Sequence, residues 1–132
     1  MHLDISHIGQ ISLAVRDLGR AEHFYATTLG LRKLFRVGDV SVFDCGEVQL
    51  LLEKAHDPGP IGDRSVIYLR CADIVVAVRE LEKRGVVFTE MPFLVAQMDD
   101  HDLWRAFFKD PDGHRLGLFQ EAPKGFVPAA VL

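Results

Sequence analysis

The 132-residue sequence predicts an α+β protein made of a strand–helix–strand–strand–strand (βαβββ) unit that occurs twice. Three observations carry this. Two amphipathic segments each follow an alternating apolar strand and open on an aspartate, Asp17 and Asp73. Each helical segment closes on a glycine, Gly30 and Gly85, and carries an alanine at the matching place, Ala21 and Ala77. Each is then followed by three short strand candidates. A repeat of this length is a supersecondary unit used twice.

In the first unit, "IGQISLAVRDL" from Ile8 alternates as a strand, and Asp17 caps a helix over "LGRAEHFYATTLG". Leu18, Ala21, Tyr25 and Thr28, with Phe24 and Leu29 beside them, form its apolar stripe, and Gly30 ends it. "LRKLFRV", "VSVFDCG" and "VQLLLEK" follow as strands, joined at Gly38-Asp39 and Gly46-Glu47. "HDPGPIGD" crowds Pro and Gly and reads as a linker. The second unit restarts with "RSVIYLRCADI", and Asp73 caps "IVVAVRELEKRG", whose apolar face is Ile74, Ala77, Val78 and Leu81. "VVFTEMPFLVAQM", "LWRAFFKD" and "HRLGLFQ" supply the last strands, the final two joined by an Asp110-Pro111-Asp112-Gly113 turn. The expected boundaries are 1–56, a linker over 57–64, 65–121, and an apolar tail over 122–132, all within a single domain.

Composition narrows the function. A net charge of −4 argues against a nucleic-acid surface. No apolar run is long enough to span a membrane, and "MHLDISH" is too polar for a signal peptide. Cys45 and Cys71 lie in apolar alternating segments without zinc or redox spacing, which points to a reducing compartment, the cytoplasm by default. No nucleophile elbow or phosphate-binding loop is present.

Together, "ISLAVRDLGRAEHFYATTLGL", "ADIVVAVRELEKRGV" and "FFKDPDGHRLGLFQ", in this order, resemble the vicinal oxygen chelate superfamily. That group includes glyoxalase I, extradiol dioxygenases, and fosfomycin- and bleomycin-resistance proteins. The resemblance covers nearly the whole chain. It implies two βαβββ modules forming a cupped, partly open mixed β-barrel with flanking helices, and a homodimer. Metal-binding members resemble one another in four inward positions filled by His, Glu or Gln. Carried onto this chain, these fall on Gln10, on Leu50 or Leu51, on or beside Val66, and on Gly117. Only Gln10 has a donor, and divalent metals need several imidazoles or carboxylates. No metal and no cofactor are therefore expected.

Gln10 and Ser12 share one strand face, and Tyr68 and Arg70 share that of Val66; with Trp104 they are the expected ligand lining. Gly117, in mid-strand where it packs nothing, is expected to leave an open hole in the pocket floor. His101, among Asp99, Asp100 and Asp102, is a candidate base with Asp100, since a neighbouring carboxylate orients an imidazole. The plainer reading of "QMDDHDLW" is a solvated loop. His2, His23, His56 and His114 read as surface residues, and His7 as an outside candidate. The expected function is a metal-free binder of a small hydrophobic or aromatic molecule, similar to the bleomycin-resistance branch. The alternatives are a glyoxalase- or dioxygenase-type lyase, isomerase or oxygenase, using an unorthodox metal site or His101, and an interaction module whose cleft its own side chains fill.

Overall fold

A computed structural model describes residues 3–57, 59, 61 and 65–126. His2, most of the expected linker and the end of the apolar tail lie outside them. The chain divides into two compact units, Met1–Ile61 and Gly62–Leu132. Each is a βαβββ module with one four-stranded mixed sheet, so the protein is α+β.

The first module runs β1 (Gln10–Val15), α1 (Leu18–His23), β2 (Arg32–Val37), β3 (Val40–Cys45) and β4 (Val48–Lys54). Its strand order is β1-β4-β3-β2; β1 is parallel to β4 and the other pairs are antiparallel. Asp17 caps α1 through Oδ1, which accepts the Arg20 N–H at 2.9 Å. The helix then widens into a π-helical turn, Phe24–Thr28, rather than running on as α-helix to Gly30. Leu18, Ala21 and Tyr25 are buried against one face of the sheet, where Tyr25 meets the buried Phe43 at 6.3 Å between ring centroids.

Glu22 of α1 ties the helix to β2 by accepting from Lys33 and, at 3.0 Å, from Arg36. Partial burial pushes its carboxyl pKa up, but hydrogen bonding from Lys33 and Ser41, together with the charges of Lys33 and Arg36, outweighs that and holds it below the ordinary value. The folded pKa is thus lower than the unfolded one. The associated stability is present above the unfolded value, about 4.3, and is lost as pH falls through the folded value. Glu22→Gln should lower stability at pH 7 by about 1 kcal/mol, modest because both cations are partly solvated. It should also flatten the decline of Tm with acid, which thermal melts between pH 3 and 7, on the order of one unit apart, would measure.

The second module runs β5 (Ile67–Arg70), α2 (Ile74–Lys83), β6 (Phe88–Gln97), β7 (Asp102–Lys109) and β8 (Arg115–Ala122). Its order, β5-β8-β7-β6, repeats that of the first, with β5 parallel to β8. Asp73 caps α2 by accepting from Val75 and Val76 at 3.0 and 3.1 Å. Ile74, Val78 and Leu81 of α2 are buried, as are Ala106, Phe108, Leu116 and Leu118 of the sheet. Neither sheet closes on itself into a barrel.

Two expectations change. His114 is buried rather than solvated: its N–H donates to Asp110 Oδ1 at 2.9 Å, and its carbonyl accepts the Asp110 N–H. The turn folds the residue after Gly113 back onto the strand pair instead of presenting it to water. Cys45 and Cys71 are free and half-buried. Burial, reinforced by Asp73, pushes the Cys71 thiol up to about 11, far from a reactive thiolate at neutral pH. Among the described residues, no helix is long and apolar enough to cross a membrane.

Candidate functional site

Strand register assigns each candidate that lies on a strand to a face. In the first module, Gln10 and Ser12 pair with Gln49 and Leu51, on the side opposite the one α1 covers. The Gln10 Nε2 donates to Gln49 Oε1 at 2.9 Å, so the amide is engaged across the parallel pair. Leu51 shares this face, whereas Leu50 points the other way and is buried. Gln49 could not be singled out from sequence, because it acquires this role only through the β1–β4 register.

In the second module, the face away from α2 carries Tyr68 and Arg70 from β5, Arg115, Gly117, Phe119 and Glu121 from β8, and Arg105 and Phe107 from β7. Tyr68 and Arg70 therefore share a face, as their parity implies, and the register brings Gly117 beside Tyr68. Trp104 is not with them. It pairs with Gln120, whose side chain accepts the first amide of α2, and its ring meets Phe126 edge-on at 6.0 Å. One residue's difference in parity puts it on the helix side of the sheet.

The open hole expected over Gly117 is filled. Gly117 sits between Tyr68 on β5 and Phe107 on β7, in register with both. A Cβ built on it would lie 2.6 Å from Tyr68 Cδ1 and 3.2 Å from Phe107 Cε1. Gly117 is absent from the positive-φ glycines, so its conformation suits any residue. What requires glycine is the close approach of two rings, which cross the strand 5.8 Å apart in a T-shaped contact. Phe93 extends the aromatic surface, 6.1 Å from Phe107.

Three arginines roof these rings. Arg115 lies 3.9 Å from the Phe107 centroid, Arg105 4.5 Å from that of Tyr68, and Arg70 5.0 Å from that of Phe119. Arg115 pairs with Glu90 at 3.2 Å, and Arg70 with Glu121 at 2.6 Å. The result is an aromatic surface under a cationic rim, with Tyr68 and Phe93 partly exposed and Phe107 buried between them. Sequence reasoning missed Arg105, Phe107 and Phe93; only the cross-strand register lines them up.

His101 borders this face. Its Nδ1 is 2.7 Å from Asp100 Oδ1, and its Nε2 is 3.9 Å from Glu121 Oε2, the other oxygen of the carboxylate that holds Arg70. The hydrogen bond to His101 is the chief cause holding the Asp100 carboxyl below its ordinary value. Asp102 turns away and accepts from Gly125 N–H and Lys124 Nζ, the former being the main reason its own pKa is lowered. Asp100–His101–Glu121–Arg70 thus forms a chain of polar contacts along one side of the aromatic floor. An imidazole oriented by a carboxylate is equipped for general acid–base work.

The positions that the resemblance assigns to a divalent metal do not suit one here. Gln10 offers a neutral amide already bound to another amide, Leu51 and Val66 offer none, and Gly117 has its side-chain space occupied by Tyr68. Among the described residues, no three His, Cys, Asp or Glu side chains converge into a metal-holding group.

The profile of the Glyoxalase/Bleomycin resistance protein/Dioxygenase superfamily matches residues 6–118. The chain belongs to this superfamily. Among its relatives, the metallothiol transferase FosB of Lysinibacillus sphaericus (strain C3-41) is 25% identical over 117 residues, covering 86% of this chain and 82% of that protein. A superfamily member from Sphaerobacter thermophilus DSM 20745 aligns with a TM-score of 0.74 at 27% identity, over 90% of this chain and all of that one. TnmS3, an antibiotic binding protein from Streptomyces sp. CB03234, aligns with a TM-score of 0.73 at 27% identity, over 92% of this chain and all of that one.

Proposed function

We propose that this superfamily member binds a small aromatic or hydrophobic molecule on the Tyr68–Phe107–Gly117 face, without a metal. One observation carries the proposal: the position where a metal-binding relative would place a carboxylate is a glycine, and its space is given to an aromatic ring. The substitution exchanges a ligand-donating position for apolar contact surface that remains partly open, Tyr68 being 38% and Phe93 37% exposed. Similarity to an antibiotic binding protein supports a binding role, as does the arginine rim, which favours flat, electron-rich ligands. A cytoplasmic homodimer completes the proposal.

A second reading has its own support in the Asp100–His101 contact, which suits metal-free acid–base catalysis by a lyase or isomerase. Purified protein, measured by elemental analysis and by thermal shift against a panel of aromatic and hydrophobic molecules, tests both. The binder predicts no stoichiometric divalent metal and a stabilisation of about 2.7 kcal/mol with ligand at roughly 100 times its Kd. Stoichiometric zinc, iron, manganese or nickel that is lost in Gln10→Ala or His101→Ala would overturn it. Turnover of a bound compound that disappears in His101→Gln would favour the second reading.

A further inference from the structure

Of the three arginines above the aromatic floor, two are neutralised in place by Glu121 and Glu90. Arg105 has no carboxylate partner among the described residues, and its Nε is buried without any hydrogen-bond partner. It stacks on Tyr68 and lies between Phe93 on β6 and Phe119 on β8, its register partners. Aromatic neighbours displace water from a guanidinium without supplying an acceptor, so the group is left incomplete. The face as a whole is also cationic, with Arg70, Arg105, Lys109 and Arg115 against Glu90 and Glu121, in a chain whose net charge is −4.

Resting on the binding role proposed above, we infer that Arg105 is an anion-recognition residue and that the ligand is an aryl carboxylate or a close equivalent. The flat body lies against the exposed parts of Tyr68 and Phe93, and its carboxylate meets the Nη edge of Arg105. Two features favour a carboxylate on an aromatic body over a free inorganic anion. The planar guanidinium fork matches a carboxylate bidentately, and it lies only 4.5 Å from the centroid of the Tyr68 ring that would carry the aromatic body. Low local polarity strengthens such a contact relative to one in water.

The test is calorimetric titration of the full chain with 2-naphthoate and its neutral counterpart 2-naphthamide. The wild type should bind the carboxylate about tenfold or more tightly than the amide, the range of one hydrogen-bonded charge, and the preference should shrink with added salt. Arg105→Gln should erase the preference by weakening the carboxylate alone, and Arg105→Lys should leave part of it. Lys83→Gln, on the exposed side of α2, should keep it in full. Equal binding of both probes by the wild type, or a preference unchanged in Arg105→Gln, overturns the anion site while leaving a small-molecule binder intact. Failure of both probes to bind overturns the inference together with the binding role beneath it. The wild-type comparison needs no variant, so a poorly folding Arg105 substitution does not weaken the test.

Discussion

Gly117→Ala should destabilise the protein by about 1–2 kcal/mol, although alanine is usually the better residue in a strand. Two effects oppose each other. Alanine reduces the conformational freedom of the unfolded chain, which favours folding by about 0.4–1 kcal/mol at a position whose conformation it can adopt. The new Cβ, however, would meet the Tyr68 ring at 2.6 and 2.8 Å, closer than carbon atoms can approach. The ring must lift, and it gives up its edge contact with Phe107 and its stack under Arg105, worth together about 1–2 kcal/mol. The second effect is larger, so the sign is destabilising. In a Tyr68→Ala background the clash is gone, and Gly117→Ala should become neutral or stabilising. Denaturant titrations of the four proteins in this cycle measure the coupling, expected at about 1–2 kcal/mol. A coupling near zero would mean that Gly117 and Tyr68 do not define each other. The same lifted ring should weaken binding of an aromatic ligand.

Gln120→Met is expected to cost about 1–3 kcal/mol with no change of side-chain length to explain it. The Gln120 Oε1 accepts the Ile74 N–H at 2.9 Å, and both residues are buried. Ile74 is the first residue of α2, whose next two amides are taken by Asp73. Helix amides in the first turn have no partner within the helix, so the cap and the sheet divide the task. Methionine fills the space but accepts no hydrogen bond of comparable strength, and the amide stays buried and unpaired. Urea titration should show a lower midpoint with an unchanged slope, the mark of a change in stability rather than in denatured-state compactness. An unchanged midpoint would mean that water replaces Gln120, and that α2 does not depend on β8 for its start.

The two aspartate caps were legible because capping is local: an Asp side chain reaches amides two or three residues ahead whatever surrounds it. The common face of Tyr68 and Arg70 was also legible, since alternation along a strand suffices to align them, whereas Gly117 joined them only through the resemblance. Trp104 was not. "LWRAFFK" is apolar on both sides of the strand, so no binary pattern assigns a face, and its pairing with Gln120 made the choice. His114 was misread because a turn's polarity says nothing about where the residue after it is folded.

By itself, then, the sequence determined a duplicated α+β unit, its helix starts and the parity of its strands, all consequences of short-range chemistry. Tertiary structure decided what occupies the space beside Gly117. Tyr68 reaches Gly117 from a strand distant in the chain, Phe107 reaches it from the adjoining hairpin strand β7, and Arg105 reaches Tyr68 from that same strand. Such contacts depend on register and ring orientation, which packing sets and local sequence does not encode.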